Sequence, residues 1–366
     1  MRIIYDYKIF WSQRLGGISR YFVNILKKIQ NKNDIDFRIV APFYRNIYLR
    51  NEIEKKKIVG LYLKKEIPKT SFMFRKFNEF FFKNFVHNYK PSIIHSTYYN
   101  ESIDKKNTPL IITVYDLIHE KLAIENNIKI LPKFKSLKLA DHIISISEKT
   151  KKDLIKFYDI DDDKISVIYL GSNHAATNEV SLDNINNTKP YILYVGSREK
   201  YKNFEFFLKG YSISNKLNND FDLLLFGGGK LSANEKKKIS EYKLDNKVFH
   251  KEGTDEELYQ SYKSAKVFVF PSIQEGFGLP LVEAMANDCP VICSNIDIFK
   301  EIAGDAAEYF DPTNLESFKD KIEEVIYSNS RIKELKLLGK IKSKNYDWER
   351  CANETIKIYE KLIKNQ

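Results

Sequence analysis

Residues 268–283 read Phe-Val-Phe-Pro-Ser-Ile-Gln-Glu-Gly-Phe-Gly-Leu-Pro-Leu-Val-Glu, and the interpretation of the whole chain starts from this stretch. It begins as an apolar β-type run that ends at Pro271, continues as a turn with glycines, and is predicted to become a helix near Leu279. Pro280 suits the first helical turn, because no hydrogen bond is lost there. A strand, a glycine turn and a helix N-terminus together direct backbone N–H groups at an anion. The stretch therefore predicts an anion-binding loop in an α/β domain.

Two carboxylates belong to the same stretch, Glu275 in the turn and Glu283 in the predicted helix. Both can face one cleft from different depths. A carboxylate does not hold phosphate, but it accepts hydrogen bonds from sugar or ribose hydroxyls. On the Gly-x-Gly pattern alone, a buried strand-to-helix turn with solvated glutamates is the commoner explanation.

The full string Glu-Gly-Phe-Gly-Leu-Pro-x-x-Glu-Ala-Met, flanked by Phe-Pro-Ser and Cys-Pro-Val-Ile, resembles the signature of retaining GT-B glycosyltransferases of family 4. The resemblance implies that Glu275 contacts the hydroxyls of the donor sugar as a catalytic residue and that Glu283 contacts the ribose. It also implies that backbone amides line the sugar and phosphate site, namely those of Gly276, Phe277, Gly278 and Leu279.

A second motif, Gly-Ser-Arg-Glu-Lys-Tyr-Lys-Asn at 196–203, follows the predicted strand Tyr191–Val195. Solvated surface charge is the default interpretation of any arginine or lysine. However, Gly-x-Arg-x-x-x-Lys-Asn resembles the diphosphate clamp of the same family. The resemblance implies that Arg198 and Lys202 neutralise the pyrophosphate beside Gly196. In the family the backbone near 250–253 holds the base, which adds Gly253 to the predicted donor site.

In the N-terminal half, the pair Gly16-Gly17 precedes an apolar stripe with helical spacing from Ile18 to Ile29. A tight turn is the commoner reason for such a pair, and a site built from backbone N–H groups is the alternative. The corresponding family loop meets the acceptor or the donor phosphate, so the resemblance makes Arg14, Gly16 and Gly17 candidates.

The predicted strand Leu110–Val114 leads into Tyr115-Asp116-Leu-Ile-His119. Many family members have His-Asp where this chain has Tyr115-Asp116, so the chain departs from the family pattern. His119 either replaces the missing histidine or is an ordinary surface residue. Asp116 is the better catalytic candidate, because a carboxylate at a strand end can orient an acceptor hydroxyl or take its proton.

The chain has 366 residues, enough for two domains with separate cores. Strands and helices alternate in both halves, which predicts parallel, doubly wound α/β sheets. The resemblance implies the GT-B arrangement, in which two Rossmann-like domains face one another across a cleft. We predict an acceptor-side domain at 1–173, a polar linker at 174–189, a nucleotide-sugar domain at 190–345 and a helix at 346–366 that crosses back to the first domain.

The net charge of +11 is unevenly distributed, since residues 42–90 hold twelve Lys/Arg against four Asp/Glu. Within them, 72–87 is aromatic with interspersed cations. This segment is either an amphipathic helix that binds an anionic membrane surface or a core helix with solvated lysines, and the core is favoured. Basic charge also suits nucleic acid, but no nucleic-acid-binding motif accompanies it, so we predict no nucleic-acid partner.

No apolar run approaches the roughly 18 residues of a transmembrane helix. The start, Met1-Arg-Ile-Ile-Tyr-Asp-Tyr-Lys, meets charge too early for the apolar stretch of a signal peptide. The three cysteines have no metal-ligand spacing. We therefore expect a cytoplasmic protein, with peripheral binding to the inner face of the plasma membrane as its membrane contact.

Sugar transfer from a nucleotide diphosphate requires stabilised charge on the leaving group. A metal held by Asp-x-Asp is one route, and residues 34–36 and 159–161 match that pattern outside the predicted strand-end sites. Arg198, Lys202 and a helix N-terminus worth about half a charge can stabilise it instead. We therefore predict a metal-independent retaining hexosyltransferase with no cofactor. The resemblance to surface-polysaccharide enzymes implies GDP-mannose or a UDP-hexose as donor and a lipid-linked saccharide as acceptor.

Three alternatives stay open. A GT-B-fold sugar-nucleotide epimerase would release nucleotide without an acceptor. A Rossmann oxidoreductase would need Gly-x-Gly-x-x-Gly in its first strand-to-helix turn, which Gly16-Gly17 does not supply. A non-catalytic nucleotide-binding protein would bind without turnover, and the intact set of charged motif residues weighs against it.

Overall fold

The computed structural model describes residues 1–65, 69–100, 103–118, 120–121, 132–173 and 189–365. The chain forms two compact units. The first contains Met1–Gly171 and Trp348–Gln366, and the second contains Ser172–Asp347. Of the linker predicted at 174–189, residues 174–188 lie outside the described part of the chain.

The first unit is built on a parallel seven-stranded sheet. Its strands are β1 (Arg2–Tyr5), β2 (Asp36–Tyr44), β3 (Ile58–Tyr62), β4 (Ile93–Ser96), β5 (Leu110–Val114), β6 (His142–Ser145) and β7 (Ile165–Val167). Their order across the sheet is β3-β2-β1-β4-β5-β6-β7, and all neighbours run parallel. The winding direction reverses between β1 and β4, which is the doubly wound topology.

The helices described in the first unit follow the strands along the chain. They are α1 (Lys8–Ser12), α2 (Gly17–Ile29), α3 (Ile47–Glu52), α4 (Ser71–Tyr89), α5 (Pro132–Leu139), α6 (Glu148–Tyr158) and the last helix, Trp348–Lys364. Among the described residues, no helix combines the length and the apolar character needed to cross a membrane.

The second unit repeats this architecture with a parallel six-stranded sheet in the order β10-β9-β8-β11-β12-β13. Its strands are β8 (Tyr191–Val195), β9 (Asp222–Phe226), β10 (Val248–Lys251), β11 (Val267–Phe270), β12 (Val291–Ser294) and β13 (Ala307–Phe310). Its helices are α7 (Phe204–Ser212), α8 (Asn215–Asp220), α9 (Ala233–Glu241), α10 (Asp255–Ser264), α11 (Leu279–Ala286), α12 (Asp297–Ala303), α13 (Leu315–Ile326) and α14 (Asn329–Ser343). The winding reverses between β8 and β11, so the predicted pair of doubly wound α/β sheets is confirmed.

Apolar residues predominate in the strands at the middle of both sheets. Every residue of β8 and of β9 is buried, as expected when helices cover both faces of a parallel sheet. In the second unit, Phe207 of α7, Leu225 of β9 and Val267 of β11 share one core without solvent exposure. Each such side chain stabilises the fold by roughly 1.5–3 kcal/mol. This continuous burial explains why such strands could be found from sequence, whereas β3, whose residues are half-buried or exposed, was not predicted.

A series of buried hydrogen bonds connects the last helix to the first sheet. The Tyr359 hydroxyl lies 2.6 Å from His95 Nδ1 and 2.9 Å from the Tyr5 hydroxyl, while His95 Nε2 lies 2.8 Å from Thr113 Oγ1. Burial lowers the pKa of the His95 imidazole to about 3, so the ring is neutral at physiological pH and can both donate and accept. The helix also packs against α2.

The structure of α4 corrects the prediction that residues 72–87 form a core helix. Only Asn78, Phe82 and Val86 are buried, whereas Phe72, Met73, Phe77 and Phe80 are exposed and the remaining aromatic side chains of the helix are half-buried. The Asn78 amide accepts from the Phe43 N–H at 2.8 Å and donates to the Phe43 carbonyl at 3.0 Å, which fixes the face that meets β2. The aromatic residues of α4 are distributed around its whole circumference. The one face that packs against the sheet therefore cannot bury all of them.

Candidate functional site

The glycine turn and helix predicted at 268–283 form as expected at the carboxyl end of β11. Gly278 precedes α11 with a φ of 90°, a left-handed conformation that favours glycine. A Cβ atom at this position would lie 3.0 Å from the Phe299 ring. Gly278 cannot cap the helix with a side chain, and Pro280 occupies its first turn. The N-terminus of α11 is therefore suited to an anionic group.

An ion pair joins the two predicted donor motifs. Lys202 Nζ lies 2.6 Å from Glu275 Oε1, and the two side chains are 16% and 11% exposed. The Lys202 ammonium also lies 5.6 Å from the centre of the Phe270 ring. Lys202 follows β8 and Glu275 follows β11, so the pair lies where the winding of the second sheet reverses. Ligands of doubly wound sheets bind at this point.

Arg198 turns its guanidinium toward a different set of groups. Its Nε donates to Glu235 at 2.7 Å, and its terminal nitrogens donate to the carbonyls of Gly227 and Gly229 at 2.9 and 2.6 Å. The side chain is only 3% exposed. The direct contact of Arg198 with a diphosphate therefore stays a prediction, and the structure places the arginine on the turn that follows β9.

Glu283 lies within α11 and is almost fully buried. The Tyr262 hydroxyl of α10 donates to Glu283 Oε2 at 3.3 Å. The carboxylate is thus held between two helices, whereas Glu275 is held by a lysine in the turn before α11. The two carboxylates therefore have different surroundings.

The glycines predicted to contact the donor differ in their surroundings. Gly196 has a φ of 111°, and a Cβ atom there would meet nothing within 4 Å. At Gly253, by contrast, a Cβ atom would lie 2.4 Å from the Glu257 carboxylate, which caps α10. Gly276 and Phe277 are buried, and the Phe277 ring packs edge-on against Tyr346 at 5.7 Å. Leu279, at the start of α11, is partly exposed.

The candidates of the first unit lie at strand ends and at the start of α2. Asp116 follows β5 and accepts a hydrogen bond from the Ile118 N–H at 3.2 Å, while His119 lies outside the described residues. Arg14 and Gly17 are exposed, and Gly16 is partly exposed. The start of α2 is capped by a more distant residue, because the Gln13 side chain accepts from the Ser19 N–H at 3.0 Å.

Sequence reasoning missed two acidic residues that the structure gives clear partners. Asp6 is fully buried at the end of β1, where it accepts from the Ser96 hydroxyl at 2.6 Å and from the Thr97 N–H at 3.1 Å. Its position directly after the first apolar strand was the available signal. Glu235 pairs with Arg198, and its signal was the capping-box pattern Ser-x-x-Glu beginning at Ser232.

No group of three or more His, Cys, Asp or Glu side chains within the described part of the chain is arranged to hold a metal ion.

Comparison with a solved structure defines the class of fold. Sucrose-phosphate synthase from Thermosynechococcus elongatus has a TM-score of 0.80 at 19% identity, over 100% of this chain and 99% of that chain. Together with the two parallel sheets, this likeness assigns the GT-B fold.

Sequence comparison then identifies the family. The model described as Glycosyltransferase Family 4 matches residues 15–175, and the model described as Glycosyl transferases group 1 matches residues 178–344. The chain belongs to the GT-B glycosyltransferases of family 4, and it is similar to their mannosyltransferases.

Two relatives show how much of the chain this sequence similarity covers. The O-antigen chain mannosyltransferase RfbU of Salmonella typhimurium is 31% identical over 192 residues, which are 52% of this chain and 52% of that protein. The chain thus spans about half the length of this relative. The uncharacterized glycosyltransferase MJ1178 of Methanocaldococcus jannaschii is 27% identical over 372 residues, 95% of each chain.

Proposed function

We propose that this protein is a retaining, metal-independent glycosyltransferase that moves a hexose from a nucleotide-diphosphate sugar to a saccharide acceptor. The observation that carries the proposal is the Lys202–Glu275 pair, with 2.6 Å between Nζ and Oε1, beside the N-terminus of α11. This arrangement supports a role for Lys202 at the diphosphate and a role for Glu275 at the sugar hydroxyls. Asp116 and His119 are the proposed acceptor-side residues.

Charge stabilisation explains how the site would work. When the bond between the anomeric carbon and the diphosphate breaks, negative charge grows on the leaving oxygen. Lys202 and the first backbone amides of α11 would stabilise that negative charge, since a helix N-terminus carries about half a positive charge. Charged hydrogen bonds contribute roughly 1.5–3 kcal/mol each. A site with a cation and several amides can therefore stabilise the leaving group without a metal.

The choice of substrates rests on the relatives. RfbU is named as an O-antigen chain mannosyltransferase, which supports GDP-mannose as donor, with a UDP-hexose as the second candidate. The same name supports a growing surface polysaccharide as acceptor, and we propose that this acceptor is lipid-linked.

A thermal-shift screen with UDP, GDP and ADP tests the donor site. We expect one diphosphate to raise the melting temperature, because a ligand that binds only the folded state stabilises it. The matching nucleotide sugar should then release diphosphate only when a saccharide acceptor is present. Release without an acceptor would favour the epimerase, binding without any turnover would favour a non-catalytic protein, and no shift with any nucleotide would contradict the proposal.

We also propose that the first unit binds an anionic membrane surface through α4. Phe72, Met73, Phe77 and Phe80 are exposed on this helix. Cations accompany them, since Arg75 and Lys76 lie 5.6 and 5.9 Å from the centre of the Phe72 ring. Stable anchoring requires both apolar area and basic charge, and α4 offers both on one helix. Such binding would hold the enzyme beside a lipid-linked acceptor.

Liposome flotation should show binding to vesicles containing anionic lipid, and this binding should weaken as salt is raised. Replacing Phe72 and Phe80 with serine should abolish most of it. The matched control replaces Leu337 and Ile341, the exposed apolar pair of α14, and should float like the wild type. Equal flotation of both double variants, or no binding at low salt, would contradict the assignment of the surface to α4.

A further inference from the structure

Almost all N–H groups of the Arg198 guanidinium already donate hydrogen bonds to other residues of the second unit. Besides its bonds to Glu235, Gly227 and Gly229, a terminal nitrogen lies 3.2 Å from the Gly228 carbonyl and 3.4 Å from the Lys230 carbonyl. One side chain therefore contacts four successive carbonyls and one carboxylate. A guanidinium has five N–H groups, so little hydrogen-bonding capacity is left for a ligand.

The turn that Arg198 holds is intrinsically hard to fix. Gly227, Gly228 and Gly229 have φ values of 76°, 75° and 77°, three successive left-handed residues. Glycine loses more conformational freedom on folding than any other residue, so such a turn needs contacts to hold it in one shape. A Cβ atom at Gly228 would lie 2.3 Å from the Gly196 carbonyl oxygen and 2.6 Å from a terminal nitrogen of Arg198. The turn therefore packs directly on the loop that follows β8, which also carries Lys202.

Glu235 holds Arg198 in place from the other side. Its Oε1 accepts from Arg198 Nε, while its Oε2 accepts from the Ser232 N–H at 2.6 Å as part of the capping box of α9. Burial alone would raise the pKa of the Glu235 carboxyl, but the hydrogen bonds from Ser232 and Arg198 outweigh it and lower the pKa. The carboxylate therefore stays charged and links a helix start to the arginine.

We propose that Glu235 is a positioning residue that keeps Arg198 bound across the turn 227–230, and that this bound arginine shapes the nucleotide-diphosphate site without leaving the turn to contact the phosphates. The proposal rests on the proposed function, because it concerns the donor site of that enzyme. A move of Arg198 to the diphosphate would leave the Glu235 carboxylate without its cation and release four carbonyls, and both changes oppose it. In this assignment Lys202 is the cation that meets the diphosphate.

Nucleotide affinities of the full chain separate the two roles of Arg198. Calorimetric titration with the diphosphate that the wild type binds should give about a tenfold weaker Kd for Arg198→Ala, because the turn 227–230 loses the contacts that hold it in one shape and must be ordered on binding. Glu235→Ala should also weaken binding, and the double variant should be no weaker than Arg198→Ala, since both act through one contact. If Arg198 clamps the phosphates directly, Glu235→Ala would release it and bind as tightly as the wild type or tighter. That result would overturn the proposal.

Three further variants separate positioning from simple charge and from folding. Arg198→Lys keeps the charge but cannot span the carbonyls and the carboxylate, so it should bind as weakly as Arg198→Ala, and restored affinity would overturn the proposal. Ser232→Ala removes a capping hydroxyl but leaves the Arg198–Glu235 pair, so it should bind like the wild type. Glu235→Gln keeps an acceptor for the Ser232 N–H, which preserves the helix cap if Glu235→Ala fails to fold, and it should still weaken binding.

Comparing a nucleoside monophosphate with the diphosphate adds a readout that misfolding would not produce. If Arg198 only positions the turn, Arg198→Ala should lower the affinity for both ligands by the same factor. If Arg198 clamps the phosphates directly, the affinity for the diphosphate should fall by the larger factor, and this result would count against the proposal. Failure of a folded wild type to bind UDP, GDP or ADP would instead overturn the proposed function, and the inference with it.

Discussion

Replacing Glu275 with alanine is expected to lower kcat about 100-fold while the affinity for the nucleotide diphosphate stays equal or increases. The loss of rate follows because hydrogen bonds from the sugar hydroxyls to Glu275 should tighten as the sugar flattens toward the transition state. Losing such contacts costs about 3 kcal/mol, which corresponds to about 100-fold in rate. The affinity should be kept because removing Glu275 frees Lys202, whose ammonium is paired with it at 2.6 Å, to meet the diphosphate.

Donor-dependent kinetics and calorimetric titration of the same preparations check this expectation. Glu275→Gln is the matched variant, since it keeps the size of the side chain but weakens the pair with Lys202. A melting curve confirms the fold of each variant, and added magnesium should not restore the rate. A parallel loss of kcat and of nucleotide affinity would mean that Glu275 holds the loop through Lys202. Wild-type kinetics would reduce the motif to an ordinary strand-to-helix turn.

Replacing Glu283 with alanine is expected to raise the donor KM roughly 10- to 100-fold with little change in kcat, as follows from losing one or two charged hydrogen bonds of roughly 1.5 kcal/mol each. Glu283 is buried in α11 and bonded to Tyr262, so its position does not depend on Lys202. If Glu283 contacts the ribose as proposed, a carboxylate held by the scaffold would make that contact equally in the ground state and in the transition state. Such uniform binding changes KM rather than turnover.

A control is needed because Glu283 is also part of the helix packing. Tyr262→Phe removes the internal hydrogen bond at 3.3 Å but keeps the carboxylate, so it should leave the donor KM near the wild-type value. If Tyr262→Phe reproduces the effect of Glu283→Ala, the role of Glu283 is structural. An unchanged KM in a well-folded Glu283→Ala would remove the ribose contact from the proposed mechanism.

The elements that the sequence predicted correctly are those with local causes. Strands such as Tyr191–Val195 are continuous apolar runs because both faces of a parallel sheet are covered. The turn before α11 was recognisable because Gly278 accepts a positive φ and Pro280, two positions later, suits the first helical turn, where its missing N–H is no loss. The alternation of strands and helices was enough to indicate two doubly wound sheets, because parallel strands need crossover connections.

Contacts between distant residues were decided only by the tertiary structure. Arg198 and Lys202 lie four positions apart in one motif, yet one binds the turn after β9 and the other binds Glu275 after β11. His95 meets Tyr359 across 264 positions of the chain.

The face of α4 that became buried was likewise set by the tertiary structure, through the bonds of Asn78 to Phe43 on β2. By itself the sequence determined the strands, the turns and the residue types of the site, because backbone preference and apolar periodicity act over a few neighbouring positions. The structure decided which charges meet and which aromatic side chains stay exposed, because those depend on where the packed sheets bring distant segments together.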